Sequence, residues 1–485
     1  MTKKQLSVIT ALTVTALILG LLISRRLWFK LDLTRNQGYT ISKVSRQLHT
    51  EIPDQVQITY YLSDKLSAMY PQPGEVLDLL REYAGYSRGK IRVTVRDPVK
   101  AGLADAAERL GIQPNQINTM EEDQNSRITV YTGIAIEYLD AAEVLPVVFS
   151  IDTLEYDLTS RIRALVRGTK REIGVILGNA AQRWEEDYRS FQQFFRQSGY
   201  EIRLIPAGAE IPDALPSLFV LGGTEDFDEW DLYRIDRYIR GGGKALFAVD
   251  AVTHDVQTGD PPRIMPDKGL LAMLAGYGAA VQPSLVLDRT ALTLSYQRPT
   301  EYGISFVEQV KYPLWVSILP NSGNKDNPLT ANFNGLDMFW ASPIELSPPE
   351  SVSAQPLFTS TKEAWLMTKD FSIDYRGAAY LFEREAEETK GVKVLGAALS
   401  GAFPSYFAGL PKPVREGSEE TLPDQPAEAR DSRVIVIGST EIASHSYEYT
   451  SSIRDLDFLA AAADWLSNDD DIVAIRNRQG LGQLD

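Results

Sequence analysis

The chain has 485 residues, too many for one ordinary domain of about 100–200 residues, so two or three packed units are expected. It contains no cysteine, which excludes disulfides, a thiolate nucleophile, thiolate metal sites and CxxC redox pairs. Its net charge of −16 disfavours nucleic acid as a partner, because such binding depends on neutralising phosphates with lysine and arginine. The three histidines, His49, His254 and His445, lack a metal-binding spacing, so neither a metal nor another cofactor is predicted.

The N-terminal part of the chain is basic and apolar, whereas the rest is acidic. Residues 1–30 contain five lysine and arginine side chains and no acid, so the remainder carries 44 basic and 65 acidic residues. Residues Leu6–Ile23 run without a charge and are just long enough to cross a hydrocarbon core of about 30 Å as a helix. We therefore predict a short tail over residues 1–5, an uncleaved transmembrane signal anchor over 6–24 and a juxtamembrane segment over 25–55.

A cleaved signal peptide is the alternative interpretation of this apolar segment. Its apolar stretch is usually about 7–15 residues long and ends at a small-residue cleavage site, whereas here Ser24 is followed by Arg25, Arg26 and Leu27. Basic residues flank both ends of the span almost equally, so charge alone does not set its orientation. Because only five residues precede the span, nearly all of the folded mass is expected on one side of the cytoplasmic membrane.

Residues 56–168 are predicted to form a thioredoxin-like α/β domain. Apolar residues recur at helical spacing between Val76 and Tyr83 and again between Leu154 and Leu165, which predicts two amphipathic helices. The element order is β-α-β-α-β-β-α, and without cysteine such a domain would be a non-redox version. The remaining predicted elements are strands at Val56–Leu62, Ile91–Val95, Ile128–Tyr138 and Val144–Ile151 and a helix over Ala101–Leu110.

Residues 171–470 are predicted to form a second α/β domain. Strands alternate with helical patterns here, which favours βαβ units and a doubly wound parallel sheet, flavodoxin-like or amidotransferase-like. We expect an insertion or long loops at about 290–390, a mobile linker over 411–433 and a separate C-terminal segment over 471–485. The predicted strands are Ile173–Leu177, Ile202–Ile205, Leu218–Leu221, Ala245–Val249, Ser284–Leu287, Val394–Leu399 and Val434–Ile437, with helices around Phe191, Ile235 and Ile453–Leu466.

One glycine-rich stretch has the composition of a phosphate-binding loop but not its spacing. Arg240-Gly241-Gly242-Gly243-Lys244 lacks the four residues that separate the glycine from GK[ST] in a Walker motif, and its lysine opens a strand rather than a helix. We interpret the stretch as a turn that ends a helix. The chain is therefore not expected to bind a nucleotide.

The ends of the predicted parallel strands carry polar residues that suggest a crevice. Leu221-Gly222-Gly223, followed by Ala248-Val249-Asp250-Ala251, resembles the class I glutamine amidotransferase-like fold. In that fold the glycines serve an oxyanion region, and a cysteine lies at a sharp elbow after the next strand. Asp250 or Ala251 stands at that elbow here, so the thiolate mechanism is absent. A crevice at these strand ends remains a sensible ligand site, and ordinary loop polars and helix caps are the alternative interpretation of its residues. The candidate lining residues are Asn179, Arg183, Thr224, Asp250, Ser439 and Glu441.

A passage after the apolar segment carries the most specific resemblance. Leu31-Asp32-Leu33-Thr34, followed by Tyr39-Thr40-Ile41-Ser42, resembles the opening signature of the GldG-like family, the auxiliary membrane proteins of gliding-motility-type ABC transporters. Further family segments follow in order along nearly the whole chain. They include Gly133–Tyr138, Glu155–Leu165, Leu221-Gly222-Gly223, Gly276-Tyr277-Gly278, Arg433–Ser439 and Asp464-Trp465-Leu466.

Two features depart from the family pattern. Gly178-Asn179-Ala180-Ala181-Gln182 replaces a Gly-His-Gly-Glu-like turn, which puts any role of that turn in doubt. No apolar span follows Ile472–Ile475, whereas the family commonly ends in a second membrane helix. Either this chain stops before that helix or the protein has a single span.

The resemblance implies an accessory subunit of an ABC transporter, with no ATPase activity of its own. Its expected partners are a permease, a separate ATPase subunit, the cytoplasmic membrane and a second copy of itself, and its body is expected on the extracytoplasmic side.

Two alternatives stay open. One is a membrane-anchored hydrolase or ligand-binding enzyme that uses Asp250 or Glu441 in the crevice. The other is a surface glycan- or envelope-binding module that uses the aromatic residues Tyr312, Trp315, Phe339, Trp340 and Trp365.

Overall fold

A computed structural model of the chain describes residues 41–121, 124–169, 171–178, 184–254, 261–299, 305–415, 421–467, 472–473 and 475–476. The predicted membrane anchor over residues 6–24 lies outside these ranges, as does most of the predicted C-terminal segment. Within the ranges, every helix is too short or too polar to cross a membrane.

The N-terminal part of the described chain is a mixed α/β unit around one five-stranded sheet. Its helices are α1 (Lys43–Glu51), α2 (Asp64–Met69), α3 (Gln72–Gly85), α4 (Ala104–Arg109) and α5 (Leu154–Arg167). Its strands are β1 (Val56–Leu62), β2 (Ile91–Arg96), β3 (Pro114–Glu121), β4 (Gln124–Tyr138) and β5 (Ala141–Leu145). We call this part the first unit.

The sheet of the first unit has β1 at its centre. β1 pairs in parallel with β2 and antiparallel with β4, and β4 pairs antiparallel with both β3 and β5. The helical stripe of α3 places Val76, Leu80 and Tyr83 in the core, as the sequence pattern predicted. Strand β3 was not predicted, because its residues PNQINTME lack the apolar alternation of a half-buried strand. The second strand of the predicted pair ends at Leu145, six residues before the predicted Ile151.

The remaining described residues form the second unit, which is built on a nine-stranded sheet. Its helices are α6 (Trp184–Asp187), α7 (Arg189–Gln197), α8 (Glu229–Arg240), α9 (Leu270–Tyr277), α10 (Ala378–Glu383), α11 (Ser446–Thr450) and α12 (Arg454–Leu466). Its first strands are β6 (Glu172–Leu177), β7 (Glu201–Leu204), β8 (Ser217–Leu221), β9 (Ala245–Ala248), β10 (Ala279–Val281), β11 (Leu285–Leu287) and β12 (Ala291–Pro299). The others are β13 (Ser305–Ile318), β14 (Leu336–Phe339), β15 (Ile344–Leu346), β16 (Val352–Thr359), β17 (Trp365–Met367), β18 (Val394–Ala402) and β19 (Asp431–Ile437).

Five of these strands form a parallel core in the order β7-β6-β8-β9-β19. Numbered along the chain, this order is 2-1-3-4-5, that of flavodoxin-like sheets. Strand β18 then continues the sheet on the far side of β19 in the antiparallel direction, followed by β15 and β10, and β16 also pairs with β18. The carboxyl ends of the five parallel strands therefore share one edge of the sheet.

Helices cover both faces of this parallel core. Phe191 and Phe195 of α7 share one apolar cluster with α12, whereas Ile235 of α8 and Met273 of α9 belong to the cluster on the opposite face. Helix α8 begins at Asp228, whose side chain accepts hydrogen bonds from the Trp230 and Asp231 amides in a reciprocal capping box. The alternating strand and helix pattern thus predicted the two-sided packing of this region.

The region predicted as an insertion or a set of long loops contains strands. β12, β13 and β14 form a three-stranded sheet, and β11 pairs with β17. The five aromatic residues proposed to bind glycan are interior here, since Tyr312, Trp315, Phe339, Trp340 and Trp365 are at most 8% exposed. That expectation was wrong, because aromatic side chains spaced along short strands packed against one another instead of forming a surface.

Two predicted strands lie elsewhere than expected. Leu285–Leu287 does not join the large sheet but pairs with Trp365–Met367, and Val394–Ala402 joins it in the antiparallel direction. A short buried apolar run has the same pattern in any sheet, so the sequence did not distinguish these pairings.

The segment predicted as a mobile linker, 411–433, is attached to α8 in its described part. The Tyr233 hydroxyl donates to the Pro423 carbonyl at 3.1 Å, and Arg240 Nη2 donates to the Pro426 carbonyl at 2.9 Å. The last three residues of the segment begin β19. Leu422 is also buried in the apolar cluster that contains α8. The described part of the segment is therefore attached to the second unit by both polar and apolar contacts.

A buried ionic cluster joins the two units. Asp464 of α12 accepts a hydrogen bond from Arg171 Nη2 at 2.8 Å and one from the Tyr156 hydroxyl of α5 at 2.7 Å. Arg476 Nε lies 3.4 Å from the same carboxylate. Burial would raise the pKa of Asp464, but the two guanidinium groups outweigh it and hold that pKa below its usual value.

Replacing Asp464 with asparagine is expected to destabilise the protein strongly. The substitution keeps the shape but removes the carboxylate that pairs with the buried Arg171, whereas Arg476 keeps its contact with Asp457. Removing one partner of a buried ion pair typically costs about 3–5 kcal/mol. The midpoint of urea unfolding, followed by circular dichroism, measures the effect. The control is Asp78→Asn, which removes an exposed ion pair with Arg81 and is expected to cost less than about 1 kcal/mol. Equal midpoints for the two variants would contradict the assignment of this cluster as a joint between the units.

Candidate functional site

Polar residues gather where the central parallel strands end. Thr224 follows β8, Asp250 follows β9, and Ser439 and Glu441 follow β19. Because these strands are adjacent and parallel, their carboxyl ends bring these four residues to one place, as the sequence predicted. The other two predicted residues, Asn179 and Arg183, lie outside the described residues.

Asp250 is held by hydroxyl and amide donors from the neighbouring strand ends. Its Oδ1 accepts a hydrogen bond from the Thr440 amide at 3.0 Å, and its Oδ2 accepts one from the Thr440 hydroxyl. The Thr224 hydroxyl donates to the Asp250 carbonyl at 2.8 Å. Asp250 is only 4% exposed, and this burial raises the pKa of its carboxyl against the opposing effects of His254 and Thr440. Asp250 therefore ties together the ends of β8, β9 and β19.

Glu441 lies between two of the three histidines of the chain. Its Oε1 is 3.1 Å from His254 Nε2, and its Oε2 is 3.4 Å from His445 Nδ1. The Ser444 hydroxyl donates to Oε2 at 2.9 Å, and His445 Nε2 lies 3.6 Å from Asp187 Oδ1 at the end of α6. We call His254, Glu441, His445 and Asp187 the histidine–carboxylate cluster.

The charges of this cluster reinforce one another. Burial disfavours the charged form of His254, but the negative charges of Asp250 and Glu441 outweigh it and raise its pKa to about 9. Burial likewise opposes ionisation of Glu441, but hydrogen bonds from His254 and His445 hold its pKa far below the usual range. The pKa of His445 is raised by its hydrogen bond to Glu441. At neutral pH the buried core of the cluster is therefore an ion pair between His254 and Glu441.

Aromatic side chains of the β-rich insertion cover the cluster. The Trp340 ring stacks on His254 with ring centroids 4.9 Å apart and planes 14° apart. Trp340 Nε1 donates to the Tyr312 hydroxyl at 3.2 Å. The backbone of Trp340 has φ of 48°, a left-handed conformation that is rare and strained for a bulky residue. The insertion is thus fastened to the parallel core at this point.

The hydroxyl groups at the strand ends are engaged in hydrogen bonds within the protein. The Ser439 hydroxyl donates to the Phe339 carbonyl at 2.7 Å, while the hydroxyls of Thr440 and Ser444 donate to Asp250 and Glu441. Each of these three hydroxyl groups is thereby fixed to a neighbouring carbonyl or carboxylate of the strand ends. In the described part of the chain, no group of three histidine or acidic residues has the geometry to hold a metal ion.

The glycines at the strand ends have a packing role. β6 and β8 are the neighbouring strands at which the strand order reverses, the usual place for a ligand crevice. A Cβ at Gly178 would lie 2.1 Å from the Gly223 Cα, and a Cβ at Gly223 would lie 2.3 Å from the Phe227 ring. The two loops meet backbone to backbone, which explains the Leu221-Gly222-Gly223 pattern without an oxyanion site.

The two histidines of the cluster were missed by sequence reasoning, which treated them as widely separated. His254 follows Asp250 by four residues and His445 follows Glu441 by four, so each lies in the loop that leaves a predicted strand end. Proximity to those strand ends was the available signal. The wide separation along the sequence was misleading because β9 and β19 are adjacent in the sheet.

Two family matches divide the chain much as its two units do. The family described as "ABC-type uncharacterized transport system" matches residues 170–473, which is more than half of the chain and includes all six predicted site residues. The chain belongs to this family. A second family, "Domain of unknown function (DUF7088)", matches residues 35–137. The resemblance to ABC transporter auxiliary proteins is therefore confirmed at the level of the family.

Individual relatives add little about function. An uncharacterized protein of Borreliella burgdorferi is 28% identical over 465 residues, covering 94% of this chain and 86% of that protein. Among solved structures, the mmIFT52 N-terminal domain is 12% identical with a TM-score of 0.34, covering 60% of this chain and 96% of that one. The exo-β-1,4-mannosidase Op5Man5 of Opitutaceae bacterium strain TAV5 is 9% identical with a TM-score of 0.25, covering 81% of this chain and 49% of that one. Neither structural likeness is strong enough to support an argument.

The stability of the protein is expected to fall as the pH rises from 6.5 to about 9. His254 has a pKa of about 9 in the folded protein and the ordinary histidine pKa of about 6.5 in the unfolded chain. Its stabilising charge is therefore complete below about pH 6.5 and lost as the pH passes through about 9. The difference corresponds to about 3 kcal/mol. Urea unfolding across this range should show the loss in the native protein and a clearly smaller loss in His254→Gln, in which only the raised pKa of His445 still contributes. His49→Gln is the control, because burial lowers the pKa of His49 to about 4 and its effect on stability therefore falls at acid pH. If His49→Gln also abolished the loss of stability at alkaline pH, the assignment of that loss to His254 would be wrong.

Replacing Glu441 with glutamine is expected to lower the pKa of both His254 and His445, because each loses the carboxylate that favours its charged form. Imidazole NMR titration measures this directly, since the chain has only three histidines. His49 should titrate as in the native protein. Unchanged pKa values at His254 and His445 would mean that Glu441 does not form this pair in solution.

Proposed function

We propose that the chain is a membrane-anchored accessory subunit of a GldG-like ABC transporter, with a large extracytoplasmic body and no ATPase activity of its own. The observation that carries the proposal is the family match over residues 170–473. The ordered GldG-like segments and the charge-free run Leu6–Ile23 support the finer assignment and the anchor. The absence of a Walker spacing in the sequence supports the assignment of ATP hydrolysis to another subunit.

The architecture fits such a role. We classify the first unit as a non-redox thioredoxin-like domain and the parallel core of the second as flavodoxin-like, on the basis of their strand orders. Both are folds that serve many functions. Here Asp250 and Glu441 are only 4% and 5% exposed. Their carboxylates are held by Thr440 and by the two histidines of the cluster. A body that receives, holds or gates a substrate for its partners is therefore favoured over a hydrolase that uses Asp250 or Glu441.

Affinity purification of the tagged full-length protein from its native membrane, in mild detergent, tests the proposal. Mass spectrometry should find a permease and an ATPase subunit in a constant ratio to the tagged chain. ATP hydrolysis should follow the ATPase subunit and be absent from the tagged chain alone. An unrelated tagged single-span protein controls for nonspecific recovery. Elution of the chain alone, under conditions that keep other transporters intact, would contradict the accessory role.

The same preparation separates the accessory role from the enzyme alternative. Glu441→Gln removes the carboxylate on which both histidines depend while preserving its shape. If the complex still forms and still supports transport, the cluster has a structural role. If assembly is intact but transport is abolished, and the isolated native chain turns over a substrate that the variant does not, the enzyme alternative is favoured instead.

A further inference from the structure

A groove with a volume of about 440 Å³ lies between the two units. One wall is the extended segment 145–150, which continues from β5 of the first unit, and the floor includes the first turn of α5. The opposite wall is formed by the last turn of α7 and the start of α12 in the second unit. Ligand sites of proteins are often found at such junctions and have volumes of about 300–1,000 Å³.

Alternation along the extended segment directs apolar side chains into the groove. Val147 is 44% exposed and Phe149 is 36% exposed, whereas Val148 between them is 8% exposed and belongs to the core of the first unit. The Val148 amide donates to the Thr132 carbonyl of β4 at 2.6 Å. The Phe149 ring also meets Tyr70 edge to face, with centroids 5.5 Å apart. The wall is therefore held in place from behind while its apolar side faces solvent.

The opposite wall contributes two apolar side chains among polar ones. Phe194 of α7 is half-buried, and Ile453 at the start of α12 is 41% exposed. Two separate units thus present uncovered apolar side chains to the same groove within the described part of the chain. This groove is therefore a place in the described chain where exposed apolar side chains of both units come together.

The charged groups of the groove are predominantly negative. Asp157 and Asp457 line it together with one base, Arg476. Arg476 Nη1 is 2.6 Å from Asp457 Oδ1 and its Nε is 3.4 Å from Asp464 Oδ2, so its charge is already engaged by two carboxylates. The Asp157 carboxylate accepts a hydrogen bond from the neutral Thr153 hydroxyl at 2.8 Å. The groove therefore favours a ligand that brings a positive charge to Asp157.

We propose that this groove binds a short extended peptide segment of a partner protein, with apolar side chains against Val147, Phe149 and Ile453 and a lysine or arginine beside Asp157. A groove of about 440 Å³ between two walls has room for a short extended chain and not for a globular surface. Alternating side chains of such a chain reach one wall and the solvent in turn. This inference goes beyond the transporter role and does not depend on it.

Fluorescence polarisation with three labelled peptides of about twelve residues tests the proposal on the purified full-length protein. In the first peptide, leucine and lysine residues are separated by serine residues. The second peptide is the same except that serine replaces each leucine. The third is the same as the first except that glutamate replaces each lysine. The first should bind at least about tenfold more tightly than either of the others. Its binding should weaken as salt is raised, because one part of the recognition is an ion pair.

Matched variants locate the binding. Phe149→Ser and Asp157→Asn should each weaken binding of the first peptide by about tenfold, and Asp157→Asn should also reduce its salt dependence. Asparagine keeps the acceptor for the Thr153 hydroxyl, so the first turn of α5 stays intact. The controls are Val392→Ser, at a residue 57% exposed and outside the groove, and Asp78→Asn. Both should bind like the native protein, and circular dichroism verifies that all variants are folded.

Three outcomes would overturn the proposal. Equal binding of the leucine–lysine and serine–lysine peptides would mean that the acidic body attracts any cation. Equal loss in Val392→Ser and Phe149→Ser would place the binding outside the groove. Absence of peptide binding, together with a change of oligomeric state in Phe149→Ser by light scattering, would identify the groove as a contact between copies of this chain.

Discussion

The carboxylate of Asp464 is the point on which the arrangement of the two units depends. It forms ion pairs with Arg171, which precedes β6, and with Arg476, which follows α12. It also accepts a hydrogen bond from the Tyr156 hydroxyl of the first unit. Each guanidinium group would be costly to bury alone, and each is accepted because the carboxylate and the aromatic rings surround it. Arg171 lies 4.1 Å from the Tyr200 ring centroid and Arg476 lies 4.0 Å from that of Tyr156. The groove between the units has its shape because this joint fixes α5 against α12.

A second buried ion pair, His254 with Glu441, has the corresponding role at the other end of the parallel strands. It connects the loops after β9 and β19, and through the stacked Trp340 it also holds the β-rich insertion. Both ion pairs therefore join pieces that are distant in sequence and adjacent in space. Burial makes such pairs specific, because a shifted packing would leave a charge without its partner.

Features that are formed by residues close together in the sequence could be predicted, whereas features that depend on residues far apart in the sequence could not. The parallel core was predictable because alternating apolar runs and helical stripes are local, and residues such as Thr224 and Asp250 were placed correctly by the rule that parallel strands end at one edge. Strand β3 was not predictable from its polar residues, since it forms a strand by pairing with β4 and its own residues show no apolar alternation. The partners of Leu285–Leu287 and the meeting of His254 with His445 depend on tertiary packing that no local pattern encodes. The same holds for the aromatic residues of the insertion, whose type favoured burial but did not show which residues they pack against.

The stack of Trp340 on His254 gives the protein an internal optical reporter. A protonated imidazole held face to face with an indole at 4.9 Å interacts with the ring electrons as a cation, and proton or electron transfer at such distances quenches indole emission. The fluorescence of Trp340 is thereby linked to the ionisation of a histidine that no solvent-exposed dye could sense. Any event that pulls the insertion away from the parallel core would separate the two rings and change the environment of Trp340. That change would be read as a difference against the emission of the other six tryptophans.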